Sequence, residues 1–116
     1  MDYLKISHKP TKQVIAQKAL LADGFFDRLI GLMFKKQMIG FDALLIIGSN
    51  SIHTCFMRFN IDVVFLSRDN KVVKIFKDMK PWRFTLLYLK AMKVIELPGG
   101  SLGSIQVGDE VEIVNV

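Results

Sequence analysis

The chain has 116 residues, of which 51% are hydrophobic and 23% are charged, and it carries a formal net charge of +5. This length suits one domain spanning residues 1–116, and the apolar content excludes a disordered chain. No apolar segment follows the first five residues, the longest apolar run (43–47) is far too short to cross a bilayer, and a single cysteine cannot form an intramolecular disulfide. These features predict a cytoplasmic protein without a membrane partner.

The first part of the chain contains one predicted strand and one predicted helix. Residues 13–21 predict a strand, although their Ala and Leu content would also suit a helix. Asp23 is a candidate N-cap, because its carboxylate can accept a backbone N–H. Lys35 and Lys36 favour the C-terminal end of a helix that closes before Gly40. Between these ends, apolar residues recur at steps of three and four: Phe25, Phe26, Leu29, Ile30 and Met33.

Short runs rich in Ile, Val, Phe and Leu fill the rest of the chain, and turn residues separate most of them. Runs of this length predict strands of a mainly antiparallel sheet. Residues 68–71 are the best hairpin turn, because Asp69 and Asn70 tolerate positive φ, and residues 77–89 predict a long connection. The predicted class is therefore mainly β (α+β). The runs are 43–47, 52–57, 61–66, 72–76, 92–97 and 111–114.

Four motifs on these segments occur together in one known family. They are Arg28-Leu-Ile-Gly-Leu-Met-Phe34, then His53-Thr54 followed by Met57 and Ile61-Asp62, then Glu96-Leu97-Pro98 with Gly100, and finally Gly108-Asp109. In this order and at these spacings the chain resembles the domain of unknown function 192 family, a prokaryotic group without an assigned activity. The resemblance implies a compact, antiparallel, barrel-like sheet with one or two short helices. It implies no particular reaction, because a fold alone does not specify one.

His53 and Cys55 raise the possibility of catalysis or metal binding. If residues 51–57 form a strand, both side chains share a face, with Cβ atoms roughly 6–7 Å apart, which is too far for a Cys–His nucleophile. Zinc would need three or four ligands, and His53, Cys55, Asp62 and Glu96 lack the close pair spacing of structural sites. We therefore expect Cys55 to be a small buried side chain, and we expect no metal and no cofactor.

Two carboxylates inside apolar runs need an explanation. Asp62 lies in the run 61–66 and Glu96 lies between two apolar neighbours, where a carboxylate is costly unless it is paired or hydrogen-bonded. Arg28, on an otherwise apolar helix, is the obvious partner. Two alternatives stay open for these charges, a structural ion pair and a pocket for a small polar or anionic ligand. For His53 itself, the alternative to a pocket residue is a core histidine hydrogen-bonded through both ring nitrogens. The candidate ligand-binding residues are Arg28, His53, Thr54, Met57, Asp62 and Glu96.

The segment after Glu96 offers a second candidate for anion binding. Gly99-Gly100-Ser101 predicts a plain turn. The alternative is the start of a short helix capped by Ser101, whose free backbone N–H groups would be able to meet an anion.

Three functions fit these residues. The first is a non-enzymatic module that binds a small polar ligand or a protein partner near His53. The second is a hydrolase-like or transferase-like enzyme in which His53 is the general base and Asp62 or Glu96 orients it. The third is a nucleic-acid accessory protein, because the basic span from Arg68 to Lys93 also contains aromatic residues. The lack of a complete catalytic set favours the first.

Overall fold

Seven β-strands make up the regular structure, in a computed structural model that describes residues 3–22, 24, 32–33 and 35–116. They are β1 (Leu4–His8), β2 (Val14–Ala22), β3 (Ala43–Ile47), β4 (Ile61–Leu66), β5 (Val72–Met79), β6 (Lys93–Pro98) and β7 (Val111–Asn115). No helix occurs in these described ranges, and the predicted helix from Asp23 to Met33 lies almost entirely outside them. The same holds for Arg28.

The strands form one curled sheet in the order β5-β4-β6-β3-β2-β1-β7. Neighbouring strands are antiparallel except for β2 and β3, which pair in parallel. The two edge strands meet at one end, where Lys71 and Glu110 form an antiparallel bridge and Val72 N–H donates to Asp109 O at 2.8 Å. This curled half-barrel confirms the prediction of a mainly β, barrel-like fold.

Most of the predicted elements are confirmed. Six of the seven predicted strands correspond to β2 through β7, with ends that differ by up to three residues. The predicted hairpin turn joins β4 to β5, where Ser67 N–H donates to Lys71 O at 2.9 Å and Asn70 has a φ of 62°. Strand β1 was not predicted.

The predicted strand at 52–57 is wrong. His53 makes only an isolated bridge to Phe84, and the chain turns at Cys55 and Phe56. Phe56 has a φ of 62°, which an extended strand cannot accommodate. The alternation of side chains that was expected for residues 51–57 therefore does not occur.

The sheet carries a hydrophobic core on each face. The inner core lies on the concave side, because it unites the edge strands through Val72 and Val111 with Ile6, Leu45, Val64 and Ile95. The outer core lies on the opposite face and contains Leu44, Ile46, Met57, Val63, Phe65 and Val94. Residues from the connections 50–59 and 80–92 cover it. Within the described ranges, no helix has the length and the apolar character needed to cross a bilayer.

Candidate functional site

Glu96 occupies the middle of an apolar row that crosses the sheet. It pairs with Leu44 of β3 on one side and with Val63 of β4 on the other. The row continues to Leu20 of β2 and to Phe76 of β5. Since directly paired residues share a face, the Glu96 side chain points into the outer core.

The Glu96 carboxyl is buried without a compensating charge. The residue is 3% exposed, and none of the described residues forms an ion pair with it. Burial raises the pKa of this carboxyl to about 8, because the low-dielectric surroundings disfavour the charged form. At neutral pH the group is therefore mostly protonated, and it can both donate and accept a hydrogen bond.

Asp62 lies on the opposite face from Glu96. The register pairs Asp62 with Leu97 and Val63 with Glu96, so the two carboxyls alternate between faces. Asp62 is 1% exposed and points toward the inner core. The structure thus separates the two acidic side chains that the sequence analysis grouped.

The Asp62 carboxylate satisfies three backbone amides. Its Oδ1 accepts the N–H of Asp78 at 2.8 Å, and its Oδ2 accepts those of Ser101 at 2.8 Å and Leu102 at 3.0 Å. Asp78 belongs to a β-bulge where β5 has one more residue than β4, and such a residue loses its ladder partner. Asp62 therefore joins β4 to a bulge and to a turn, and it does not orient His53.

The segment after Glu96 forms the predicted plain turn. Gly100 has a φ of 84°, and Ser101 N–H donates to Pro98 O at 3.2 Å. The N–H groups of residues 101 and 102 do meet an anion, which is the carboxylate of Asp62. The Asp62 carboxylate therefore occupies the place at this turn where binding of an external anion was considered.

Thr54 connects two covering segments of the outer core. Its side chain is fully buried, and its Oγ1 donates to Lys80 O at 2.7 Å and accepts the N–H of Arg83 at 2.8 Å. Its backbone N–H donates to Arg83 O at 2.8 Å, and its carbonyl accepts the N–H of Trp82 at 3.0 Å. Thr54 thus fixes the start of the connection between β5 and β6.

His53 is half-buried beside this junction. Its Nδ1 accepts the backbone N–H of Cys55 at 3.1 Å, so the neutral ring carries its proton on Nε2. Met57, two residues beyond Cys55, is buried in the outer core. His53, Thr54 and Met57 therefore belong to a segment that covers the same face on which Glu96 lies.

A cavity of about 370 Å³ lies elsewhere on the described surface. It is lined by Lys35, Lys36, Gln37, Ile39 and Phe41, and it contains none of the described candidate residues. The described part of the chain has no group of three or more His, Cys, Asp or Glu side chains arranged to hold a metal ion.

Sequence reasoning missed a second polar cluster. His8 is 3% exposed, and its Nε2 lies 2.8 Å from Asp109 Oδ2 while its Nδ1 lies 2.8 Å from Thr11 Oγ1. The hydrogen bond from His8, together with the backbone N–H of Gln106, lowers the pKa of Asp109. The sequence offered only one signal for this cluster, which is His8 in a short alternating stretch. It gave no indication of the partner, because 101 positions separate His8 from Asp109.

The basic span contains two kinds of aromatic residue. Phe76 and Tyr88 pack in the outer core, with ring centroids 6.2 and 5.0 Å from that of Phe65. Trp82 and Phe84 are exposed. Only the second pair is available for stacking on a base, which weakens the nucleic-acid hypothesis.

Comparison with known proteins places most of the chain within one family model. The model of DUF192, described as an uncharacterized ACR, matches residues 6–113. Two archaeal proteins, both called UPF0127 protein, are similar over most of their length. The one from Pyrococcus furiosus is 38% identical over 78% of this chain and 82% of its own, and the one from Pyrococcus horikoshii is 37% identical over 79% and 84%.

A solved structure supports the same architecture. A protein of unknown function from Novosphingobium aromaticivorans aligns with a TM-score of 0.76, at 21% identity, over 94% of this chain and 82% of that chain. At this level of identity the likeness supports the fold alone.

Proposed function

The chain belongs to the domain of unknown function 192 family, and we propose that it binds a small polar ligand without catalysing a reaction. In this proposal residues 1–116 form a single domain. The proposed ligand-binding set keeps His53, Thr54, Met57 and Glu96 on the outer-core face. Arg28 belongs to the proposal through its sequence position alone, because it lies outside the described residues. Asp62 supports the site indirectly by fixing β4 to its neighbours.

The observation that carries the proposal is the buried carboxyl of Glu96 in the centre of an apolar row. A buried ionisable group without an opposite charge is costly, and groups with strongly shifted pKa values concentrate at functional sites. An aliphatic side chain would suit position 96 in a purely structural sheet, since its paired neighbours, Leu44 and Val63, are both aliphatic. A protonated carboxyl suits a ligand with an oxygen acceptor, including an anionic one.

A binding module fits better than an enzyme. The Asp62 carboxylate accepts hydrogen bonds from three backbone amides and does not contact His53. Of the two carboxyls considered, only Glu96 would be left to orient a general base at His53. Cys55 supplies only its backbone N–H to His53 Nδ1. A nucleophile paired with a base is therefore not assembled among the described residues.

The experiment is an amide NMR titration of the full chain against pooled sugars, nucleotides, amino acids and phosphorylated metabolites. We expect one pool to shift the signals of His53, Thr54, Met57 and the β6 residues next to Glu96. The Glu96→Gln variant should bind roughly tenfold more weakly or worse, which corresponds to about 1.4 kcal/mol. Glu112→Gln, on the exposed side of β7, is the matched control and should bind like the wild type.

Two results would overturn this proposal. One is the absence of shifts near His53 with every pool, which would direct the search to protein partners. The other is a ligand whose affinity is the same for the wild type and for Glu96→Gln. The ion-pair alternative is tested with Arg28→Met: a structural pair predicts a loss of several kcal/mol that Glu96→Gln restores in the double variant.

A further inference from the structure

The connection between β5 and β6 exposes a dense group of large apolar side chains. Single exposed apolar residues are ordinary, whereas a cluster of them marks an interaction surface. We call this group the apolar ridge. It consists of Trp82, Phe84, Leu86, Leu87 and Leu89, which are 57%, 76%, 77%, 66% and 87% exposed.

The backbone that carries the ridge is held in place. Thr54 binds it at Trp82 and Arg83, Ile52 O accepts the N–H of Thr85 at 3.0 Å, and Asn50 O accepts that of Tyr88 at 3.0 Å. The Tyr88 side chain packs on Phe65. Because these anchors point inward, the side chains between them project outward from a fixed frame.

Backbone strain at two aromatic residues supports a functional role for the surface beside the ridge. Trp82 has a φ of 64° and Phe56 has a φ of 62°, a region that bulky residues rarely occupy. Their rings contact each other, with centroids 4.7 Å apart, while each side chain stays about half exposed. Strain of this kind persists at sites that use it, and here it presents two aromatic rings beside the ridge.

Cations surround the ridge with little acidic compensation. Lys80, Arg83 and Lys90 are exposed on the same connection, which contains no acidic residue between positions 80 and 92. A second copy of the chain would bring like charges together at such a surface. Bases stack on aromatic rings, so a bound nucleic acid would not explain why three leucines are also exposed here.

We propose that the apolar ridge docks the protein on the surface of an anionic lipid bilayer. Apolar and aromatic side chains enter the headgroup boundary, while Lys and Arg keep their charges at anionic lipids. This peripheral contact needs no membrane-crossing segment, and it is independent of the ligand proposed at Glu96. It differs from the sequence-based expectation that the protein has no membrane partner.

Trp82 provides an internal probe, because it is the only tryptophan of the chain. Vesicles of phosphatidylglycerol and phosphatidylcholine in equal parts should shift its fluorescence to shorter wavelength and should sediment the protein at low salt. Vesicles of phosphatidylcholine alone should do neither, because stable binding of a peripheral protein needs the attraction between its cations and anionic lipids as well as the apolar contact.

Two matched pairs of variants separate the contributions. Leu86→Ser/Leu87→Ser/Leu89→Ser should weaken partitioning at least about tenfold, whereas Ile39→Ser/Val107→Ser/Val116→Ser, at other exposed apolar residues, should not. Lys80→Gln/Arg83→Gln/Lys90→Gln should weaken it roughly a hundredfold at low salt. Lys5→Gln/Lys12→Gln/Lys36→Gln removes the same charge elsewhere and should have a smaller effect.

The proposal is overturned if anionic vesicles leave Trp82 fluorescence unchanged and do not sediment the protein. It is also overturned if the leucine variant binds vesicles as tightly as the wild type, because binding would then be electrostatic alone. A dimer in sedimentation velocity that the leucine variant abolishes would assign the ridge to a second copy. Binding to single-stranded DNA without binding to vesicles would assign it to nucleic acid.

Discussion

At the scale of single residues, the two buried carboxyls have different physical roles. The sequence indicated that Asp62 and Glu96 are buried, because both interrupt apolar runs. It did not indicate their faces, since this depends on the register between β4 and β6. It also did not reveal the partners of Asp62, because the bulge at Asp78 has no clear signature in the residues around it.

Replacing Asp62 by Asn tests its structural role. Asn keeps the size of the side chain but offers one acceptor oxygen in place of two, so at least one of the three bound N–H groups would face an NH₂ group. We expect a loss of about 3 kcal/mol in the free energy of unfolding, measured with urea.

Asp69→Asn is the control for this substitution, because Asp69 is exposed in the hairpin turn. It should change the stability by less than about 0.5 kcal/mol. Equal stability of the two variants would show that the hydrogen bonds of Asp62 contribute little.

At the scale of elements, the chain was predictable where periodicity and turn chemistry agree. The run of β3 is continuously apolar, and that of β4 is apolar except for Asp62, because both faces of the sheet are covered there. Residues 52–57 have a similar composition, but their hydrogen bonds go to the connection after β5. Strand β1 was missed because it is short and carries polar residues at Lys5, Ser7 and His8.

The β4–β5 hairpin yields a prediction about Asn70. Its φ of 62° favours Asn or Gly, and its Oδ1 accepts a hydrogen bond from Lys93 Nζ at 2.6 Å. Asn70→Ala loses both features and should destabilise the protein by about 1–2 kcal/mol, measured by chemical unfolding. Asn70→Gly loses only the hydrogen bond and should therefore be the more stable of the two. The reverse order would mean that backbone conformation does not limit this turn.

At the scale of the whole molecule, contacts between distant segments close the half-barrel. Lys71 pairs with Glu110, and Val72 N–H donates to Asp109 O, so the ends of the edge strands β5 and β7 meet. Local patterns carry no information on such pairings, which depend on how far the sheet curls. The family resemblance supplied the barrel-like shape, whereas composition and periodicity supplied the strands.

The stability of the whole protein should depend on pH through groups that act in opposite directions. The raised pKa of Glu96 favours folding below its ordinary value of 4.5, and this contribution is lost as pH rises toward about 8. The lowered pKa of Asp109 stabilises the fold above its ordinary value of 3.8, and this contribution is lost as pH falls. We therefore expect the free energy of unfolding to decline from about pH 5 to about pH 8, by at most a few kcal/mol.

The variant Glu96→Gln should flatten this decline, because the amide has no proton to lose. Urea unfolding at a series of pH values measures both proteins. A decline of the same size in Glu96→Gln would assign it to another group.

The measurement that tests the proposed site most directly is a carbon-13 NMR titration of the Glu96 carboxyl, assigned by comparison with Glu96→Gln. The proposed site predicts a midpoint near pH 8, because the carboxyl is buried on the outer-core face without an ion-pair partner among the described residues. A midpoint at or below its ordinary value of 4.5 would contradict it. The carboxylate would then already be paired within the chain, and Glu96 would be a structural residue with no capacity left for a ligand.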